Sequence, residues 1–260
     1  MSKKIEVIEN KKIEVIEKEF NSSLLEFYEE IKNKVKDKHE DLVIVNNIFL
    51  IFQKLFENKD KKGNYVECGV FKGGTLIPAI TFSEETEIDF NFFGADTFKG
   101  FPNSKHHEND LPKKFIRLFS ESLISQNHFI KARERTDTFN DLSHLESSYF
   151  NHDFSKLFEF CSARKNVNLL KGNFSKVLSN FDKKIDILHI DCDLYESYKE
   201  CLNLLYNKVI KGGCIIFDEY YSHKYPGAKI AVDEFFKDKS GYFEKYTTPE
   251  GFERWCFIKG

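Results

Sequence analysis

From Asn64 onward the chain alternates short apolar runs with amphipathic stretches, and no other feature of its sequence constrains the fold as tightly. Runs too short for helices, separated by stretches of helical periodicity, are the signature of βαβ units. Each strand then lies parallel to the next and a helix crosses between them. The spacing predicts strands over Tyr65–Cys68, Phe92–Asp96, Val167–Leu170, Ile185–Ile190 and Cys214–Phe217. Helices are expected from Gly73-Gly74-Thr75 to about Phe82, from Phe150 to Ser162, from about Glu196 to Ile210 and from Ala228 to about Phe236. Lys211-Gly212-Gly213 reads as the stop of the third of these, because glycine commonly follows a last helical turn. Tyr242–Tyr246 and Arg254–Ile258 flank Thr-Thr-Pro-Glu-Gly-Phe, a hairpin signal, so the sheet is expected to end in an antiparallel pair.

Three stretches stand outside this alternation. Residues 1–20 hold a tandem copy of Lys-Lys-Ile-Glu-Val-Ile-Glu, at 3–9 and 11–17, too short for a solenoid repeat. They are expected to form a charged arm, although their β-branched residues also suit an edge strand or an inter-subunit contact. Residues 21–60 carry apolar side chains at helical spacing (Leu25, Tyr28 and Ile31, then Val45, Ile48, Leu50, Phe52 and Leu55), which predicts two helices ahead of the main fold. Residues 61–260 are then a single domain, interrupted at about 103–148 by a polar, irregular stretch. A connection of that length inside a compact domain marks a lid or an insertion.

Composition narrows the partners. Thirty-nine basic residues against forty-two acidic ones leave a net charge of −3, so no global field draws nucleic acid or an anionic membrane. No apolar run approaches the roughly 20 residues of a membrane-spanning helix, and Met1-Ser2-Lys3-Lys4-Ile5-Glu6 lacks the apolar stretch of a signal peptide. A cytoplasmic protein acting on small molecules is expected. Six cysteines, at 68, 161, 192, 201, 214 and 256, form no C-x-x-C pair and read as reduced packing residues.

In an open α/β sheet ligands bind beyond the carboxyl ends of the strands, so the residues that end each strand carry the chemistry. The first strand runs into Glu67-Cys68-Gly69-Val70-Phe71-Lys72-Gly73-Gly74-Thr75, a loop whose glycines let a ligand approach the backbone. It departs from the G-x-G-x-x-G dinucleotide fingerprint, and Glu67 would repel a pyrophosphate while favouring an ammonium group. Asp96 ends the second strand, where an acidic residue accepts hydrogen bonds from ribose hydroxyls. Gly172-Asn173-Phe174 follows the third and offers an aromatic to stack on a base. Taken in order, Glu67, Gly69, Gly73, Thr75, Asp96, Asn173 and Phe174 suit S-adenosylmethionine.

A second constellation is wholly acidic. Asp191-Cys192-Asp193 and Asp218-Glu219 end two adjacent strands, which brings four carboxylates to one edge of the sheet. Like charges in one cleft repel unless a cation or protons neutralise them, and an all-oxygen set suits Mg²⁺, Mn²⁺ or Ca²⁺. No Cys/His spacing supports zinc, and His189 and Cys192 are expected on opposite faces or pointing away.

Several of these segments together are similar to the macrocin O-methyltransferase (TylF-like) family. They are Tyr65-to-Thr75, Gly94-to-Pro102, Leu170-to-Phe174, His189-to-Ser197, Lys211-to-Tyr220 and Pro226-to-Phe235, within roughly residues 60 to 240. The resemblance implies a Rossmann-like class I methyltransferase fold, with a mostly parallel seven-stranded sheet, a C-terminal antiparallel hairpin and helices on both faces. It implies S-adenosylmethionine and Mg²⁺ as cofactors and a sugar hydroxyl as acceptor, on a glycosylated or nucleotide-linked small molecule. Metal ligation by Asp191, Asp218 and Glu219 and a general base at Asp193 follow from it as well. Many relatives carry Asp-Asp where this chain has Asp218-Glu219, so the glutamate reaches further. A homodimer is expected, with no nucleic-acid or membrane partner. His106, His107, Tyr195, Tyr220 and Tyr221 are candidates for the acceptor pocket. The rival readings are a nicotinamide-dependent oxidoreductase on a similar sheet, against which Glu67 and the missing fingerprint argue, and an inactive binding protein of the same fold.

Overall fold

Ile185–Ile190 is buried at every residue, Asp186 and His189 included, which only a central strand of a sheet covered on both faces allows. The computed structural model describes residues 3–8, 11–39, 42, 44, 48–102, 107–135, 152–248 and 251–260. Among them one sheet runs through the chain. Its strands are β1 (Lys3–Ile8), β2 (Lys11–Lys18), β3 (Gly63–Cys68), β4 (Phe90–Asp96), β5 (Val167–Lys171), β6 (Ile185–Ile190), β7 (Val209–Phe217), β8 (Gly241–Thr247) and β9 (Glu253–Lys259). They lie in the order β1-β2-β8-β9-β7-β6-β3-β4-β5. Strands β3 to β7 are mutually parallel, and β9 joins β7 and β8 antiparallel, as the hairpin signal requires.

The sheet has nine strands where seven were expected. The difference lies in the N-terminal repeat, which extends the sheet instead of forming an arm. β2 pairs parallel to β8, with Val15 opposite Phe243, and β1 folds back antiparallel on β2. The alternation of Lys or Glu with Ile or Val fits a strand better than a solvated tail. Flanking residues select the copy that docks: Phe20 packs on Tyr246, and Lys18 sits 3.4 Å from Glu244.

Helices cover both faces. One side carries α1 (Ser23–Lys38), α2 (Ile48–Glu57), α3 (Leu76–Glu85) and α6 (Ser155–Ser162), packed with Tyr65, Phe92, Ile187 and Ile216. The other carries α4 (Lys114–Ser120), α5 (Gln126–Arg135), α7 (Phe174–Val177), α8 (Tyr195–Leu205) and α9 (Pro226–Phe236), packed with Val66, Leu188, Ile215 and Phe217. Two cores separated by one sheet follow from the period-2 alternation of the strands. Lys54, buried on α2, pairs with Glu244 on β8 at 2.5 Å and fixes where that helix docks.

Three further expectations are corrected. The helix expected to reach Ile210 ends at Leu205; a 3-10 turn at Tyr206–Lys208 follows, and β7 has begun by Val209. Gly212, at φ 76°, belongs to an irregularity in β7 between the pairs Ile185↔Val209 and Ile187↔Cys214, and does not stop a helix. The stretch at 103–148 is not irregular throughout, since α4 and α5 lie in it; residues 103–106 and 136–148 lie outside the described residues. The helix expected from Phe150 begins at Ser155. Among the described residues no helix is long and apolar enough to cross a membrane.

Candidate active site

The chain runs from β3 to β5 on one side and then from β6 to β7 on the other, so the direction of winding reverses between β3 and β6. A crevice opens at such a point beyond the strand ends. The ladder continues past those ends: Gly69 N–H donates to Ala95 O, Asp191 N–H to Cys68 O and Asp218 N–H to Ile190 O, at 2.9 to 3.0 Å. The first loop residues are therefore held in register, and their side chains converge on the crevice. Gly69 has φ 92°, and a Cβ there would fall on the carbonyl oxygen of Asp191. Only glycine lets the loop pass so close to the neighbouring strand end.

A cavity of about 450 Å³ occupies the crevice. Gly69, Thr75, Asp96, Asn173, Phe174, Asp191, Asp193, Asp218 and Glu219 all line it, as the strand-end reading requires. Phe71, Phe101 and Phe154 add apolar wall that no motif pointed to. Two predicted residues lie elsewhere. Glu67 is fully buried behind the wall, where its carboxylate accepts from Thr75 Oγ1 at 2.7 Å and from Tyr65 OH at 2.6 Å. Gly73, at φ 87°, shapes the turn, with Leu157 and Ile77 against it. Both support the loop from behind: Glu67 lies two residues short of Gly69, within β3, and Thr75 and Tyr65 cover its carboxylate.

Asp96 Oδ2 accepts from the N–H groups of Val70 and Phe71, and Oδ1 accepts from Phe98 N–H at 2.7 Å. Thr97 Oγ1 adds a longer contact to Oδ1 at 3.4 Å, so Asp96 ties the glycine loop to β4 while lining the cavity.

The acidic group is electrostatically loaded. Burial, then the charge of Asp218, raises Asp191 well above the usual carboxylate range. Burial, then Asp218, raises Glu219 in the same way. Asp193 is pushed up to about 7 by burial and by Asp218, against the opposing influence of Lys224 and Tyr225. Asp218 alone is lowered: burial works to raise it, but His189 and Arg254 outweigh that. Asp193 also holds φ 58°, an uncommon conformation for a residue with a Cβ, in the tight turn that opens α8.

Among the described residues, the groups whose possible ligand atoms fall within 4.8 Å of one another are His189, Asp191 and Asp218. Glu219 reaches the same cavity, but its Oε2 accepts from Tyr198 OH at 2.7 Å. His189 was expected to point away from the cluster. It shares a face of β6 with Asp191, two residues on, and its Nε2 lies 3.6 Å from Asp218 Oδ1. That gap is an ionic contact and not a hydrogen bond, and both atoms are buried without a hydrogen-bond partner. Asp218 Oδ1, unsatisfied beside Asp191 and Glu219 in the cavity, belongs to an all-oxygen set that suits a divalent cation, with His189 behind it. Arg254 went unread in the sequence too. It sits on β9, and its charge is felt at Asp218, Glu219 and Asp191. Only the order of the strands brings it there.

The acceptor candidates scatter. His107 stacks on Tyr195 at 4.5 Å, and Tyr195 OH donates to Glu234. Tyr220 and Tyr221 line a different cavity beside Trp255 and His128. His106 lies outside the described residues.

A family model described as macrocin-O-methyltransferase (TylF) matches residues 51–159 and 151–243. A curated relative from Streptomyces niveus, demethyldecarbamoylnovobiocin O-methyltransferase, is 27% identical over 177 residues, 66% of this chain. The match spans only 58% of that relative's length. Among solved structures, the O-methyltransferase NovP superposes with a TM-score of 0.54 at 24% identity, covering 82% of this chain and 79% of that one. The calicheamicin methyltransferase CalS11 gives 0.54 at 16% identity, covering 92% and 94%.

Proposed function

This chain belongs to the macrocin-O-methyltransferase (TylF) family and has the Rossmann-like class I methyltransferase fold, and from that premise we propose that it methylates a hydroxyl of a sugar-containing small molecule. The methyl donor is S-adenosylmethionine, and a divalent cation assists. One observation carries the reading: the glycine loop, Asp96 and the four carboxylates line a single cavity.

The loop from Gly69 to Thr75 and Asp96 hold the donor, with Asn173 and Phe174 at its base. Asp191 and Asp218 would hold the cation, with Glu219 beside them, and bound there it would lower the pKa of an acceptor hydroxyl. Asp193 takes the hydroxyl proton as the acceptor oxygen bonds to the methyl carbon and the C–S electron pair remains on sulfur. Its side chain lines the cavity, and its pKa of about 7 matches a base working near neutrality. Phe71, Phe101, Phe154 and Phe174 exclude water from the reacting atoms. Aligning two reactants is itself worth about 7–11 kcal/mol in favourable cases.

The test is transfer of label from S-adenosylmethionine to a panel of nucleotide-sugars and glycosides. Transfer that EDTA abolishes and Mg²⁺ restores is expected. Transfer indifferent to EDTA would remove the cation from the scheme, and tight NAD(H) binding with none of S-adenosylhomocysteine would remove the donor.

A further inference from the structure

A buried polar chain leaves the cavity at Thr75 and returns to it at Asp218. Thr75 Oγ1 donates to Glu67 Oε1 at 2.7 Å, and Tyr65 OH donates to Glu67 Oε2 at 2.6 Å. The Tyr65 oxygen lies 3.1 Å from His189 Nδ1, and His189 Nε2 faces Asp218 Oδ1 at 3.6 Å. Since the Tyr65 proton is committed to Glu67, hydrogen bonding assigns a proton to His189 Nδ1, which donates to Tyr65. The sheet register builds the chain: Glu67 and His189 are direct partners across β3 and β6, and Tyr65 precedes Glu67 on the same face. Tyr65, Glu67 and His189 are each fully buried.

Packing gives no reason for these groups. An apolar pair would fill the same place without the desolvation of a buried carboxylate and imidazole. What the chain achieves is a connection. Its first member stands at the N-terminal boundary of α3, where the glycine loop ends, and its last is a carboxylate of the acidic cluster.

We infer that His189 is a positioning residue that couples the two binding sites, so that a methyl donor on the loop and a divalent cation at Asp191 and Asp218 each strengthen the binding of the other. The inference rests on the reading of those sites given above. A ligand at either end fixes one end of the chain and reduces the ordering left for the second ligand, which makes the coupling positive.

Calorimetric titration of S-adenosylhomocysteine in EDTA and in Mg²⁺ tests it. Binding is expected to tighten at least about fivefold with Mg²⁺, and Mg²⁺ to gain the same factor from S-adenosylhomocysteine, as linkage requires. His189→Phe keeps a ring of similar size but no nitrogens; both ligands should still bind it, independently of each other. His189→Gln, whose amide can donate toward Asp218, should recover part of the factor. Tyr65→Phe breaks the chain at its middle and gives the same answer should His189→Phe fail to fold. A merely structural histidine would weaken both ligands and leave the factor intact. Independent binding of both ligands to the wild type, or a factor kept in His189→Phe and Tyr65→Phe, overturns the coupling and leaves the proposed function standing. A wild type that binds S-adenosylhomocysteine but no Mg²⁺ overturns the cation site, and the coupling with it.

Discussion

A methyl group on Gly69 would meet the carbonyl oxygen of Asp191, in a backbone conformation that residues with a Cβ avoid. Gly69→Ala should therefore cost about 2–3 kcal/mol of stability, the range of backbone effects at such sites, and weaken S-adenosylhomocysteine binding. Chemical denaturation and calorimetry check the two effects. Asp193→Asn should leave binding of donor and cation in place and lower kcat by about 10²–10⁴-fold, the usual worth of a positioned base. In the wild type the rate should rise with pH as Asp193 ionises, with an inflection at or below its value near 7 in the free protein, because a cation that neutralises Asp218 lowers it. A rate flat from pH 5 to 8 would remove Asp193 from the role of base. At this scale the sequence was readable where chemistry is contiguous: Asp191-Cys192-Asp193 and Asp218-Glu219 sit at strand ends and all four carboxylates reach the cavity. His189 and Arg254 were missed for different reasons. The first needed the same-face rule applied two residues back along β6, and the second lies on a hairpin strand whose neighbour is set by sheet order.

Among the elements, Asp110 ties the insertion to the head of α8. Asp110 is fully buried; its Oδ1 accepts from Tyr195 N–H at the first turn of α8, and its Oδ2 from His107 N–H. Asp110→Ala removes that anchor and should cost about 1–3 kcal/mol, the penalty for orphaning a buried donor. Hydrogen exchange should quicken in residues 107–120 and in the start of α8, and unchanged protection there would place the anchor elsewhere. Deleting residues 1–19 uncovers β8, removes the fully buried Val15 and strips Glu17 and Lys18 from Lys245 and Glu244. Burial of Val15 alone is worth about 1.5–3 kcal/mol. The truncated protein should melt lower and associate through its bare edge, seen by light scattering. Periodicity located the parallel strands well because each is an apolar run with clear borders. It failed at Leu205, where Val209 and Ile210 suit a helix face and a strand equally, and at the repeat, whose pairing partner lies at the far end of the sequence.

For the molecule as a whole, the loaded carboxylates set the response to pH. Asp191, Asp193 and Glu219 hold protons in the folded state at pH values where an unfolded carboxyl has lost them. Folded protein then binds more protons than unfolded, so stability falls as pH rises. His189, raised to about 10 because Asp218 and Glu67 outweigh its burial, acts in the same direction above pH 6.5. His128 and His223, lowered to about 4 by burial, favour the folded state fully above 6.5 and add no slope beyond it. In EDTA the melting temperature should therefore drop between pH 6.5 and 8, and Mg²⁺ should flatten that drop. A melting temperature that climbs over this range without metal would contradict the electrostatics of the site. The parallel sheet, its hairpin and the acidic edge were legible at this scale from the order of motifs alone, whereas the two extra strands were not.

Those two strands also bear on the order in which the molecule can assemble. β2 pairs with β8, so the segment at Val15 cannot take its place until residues around Phe243 have been made and folded. Closing a loop of that length is slow, and contacts so distant in sequence form late. Although it is made before most of the sheet, this segment is thus among the last to dock, and its strand-forming repeat stays exposed while the rest is synthesised. Lysines and glutamates interspersed along residues 3–18 disfavour pairing of that waiting segment with the wrong neighbour.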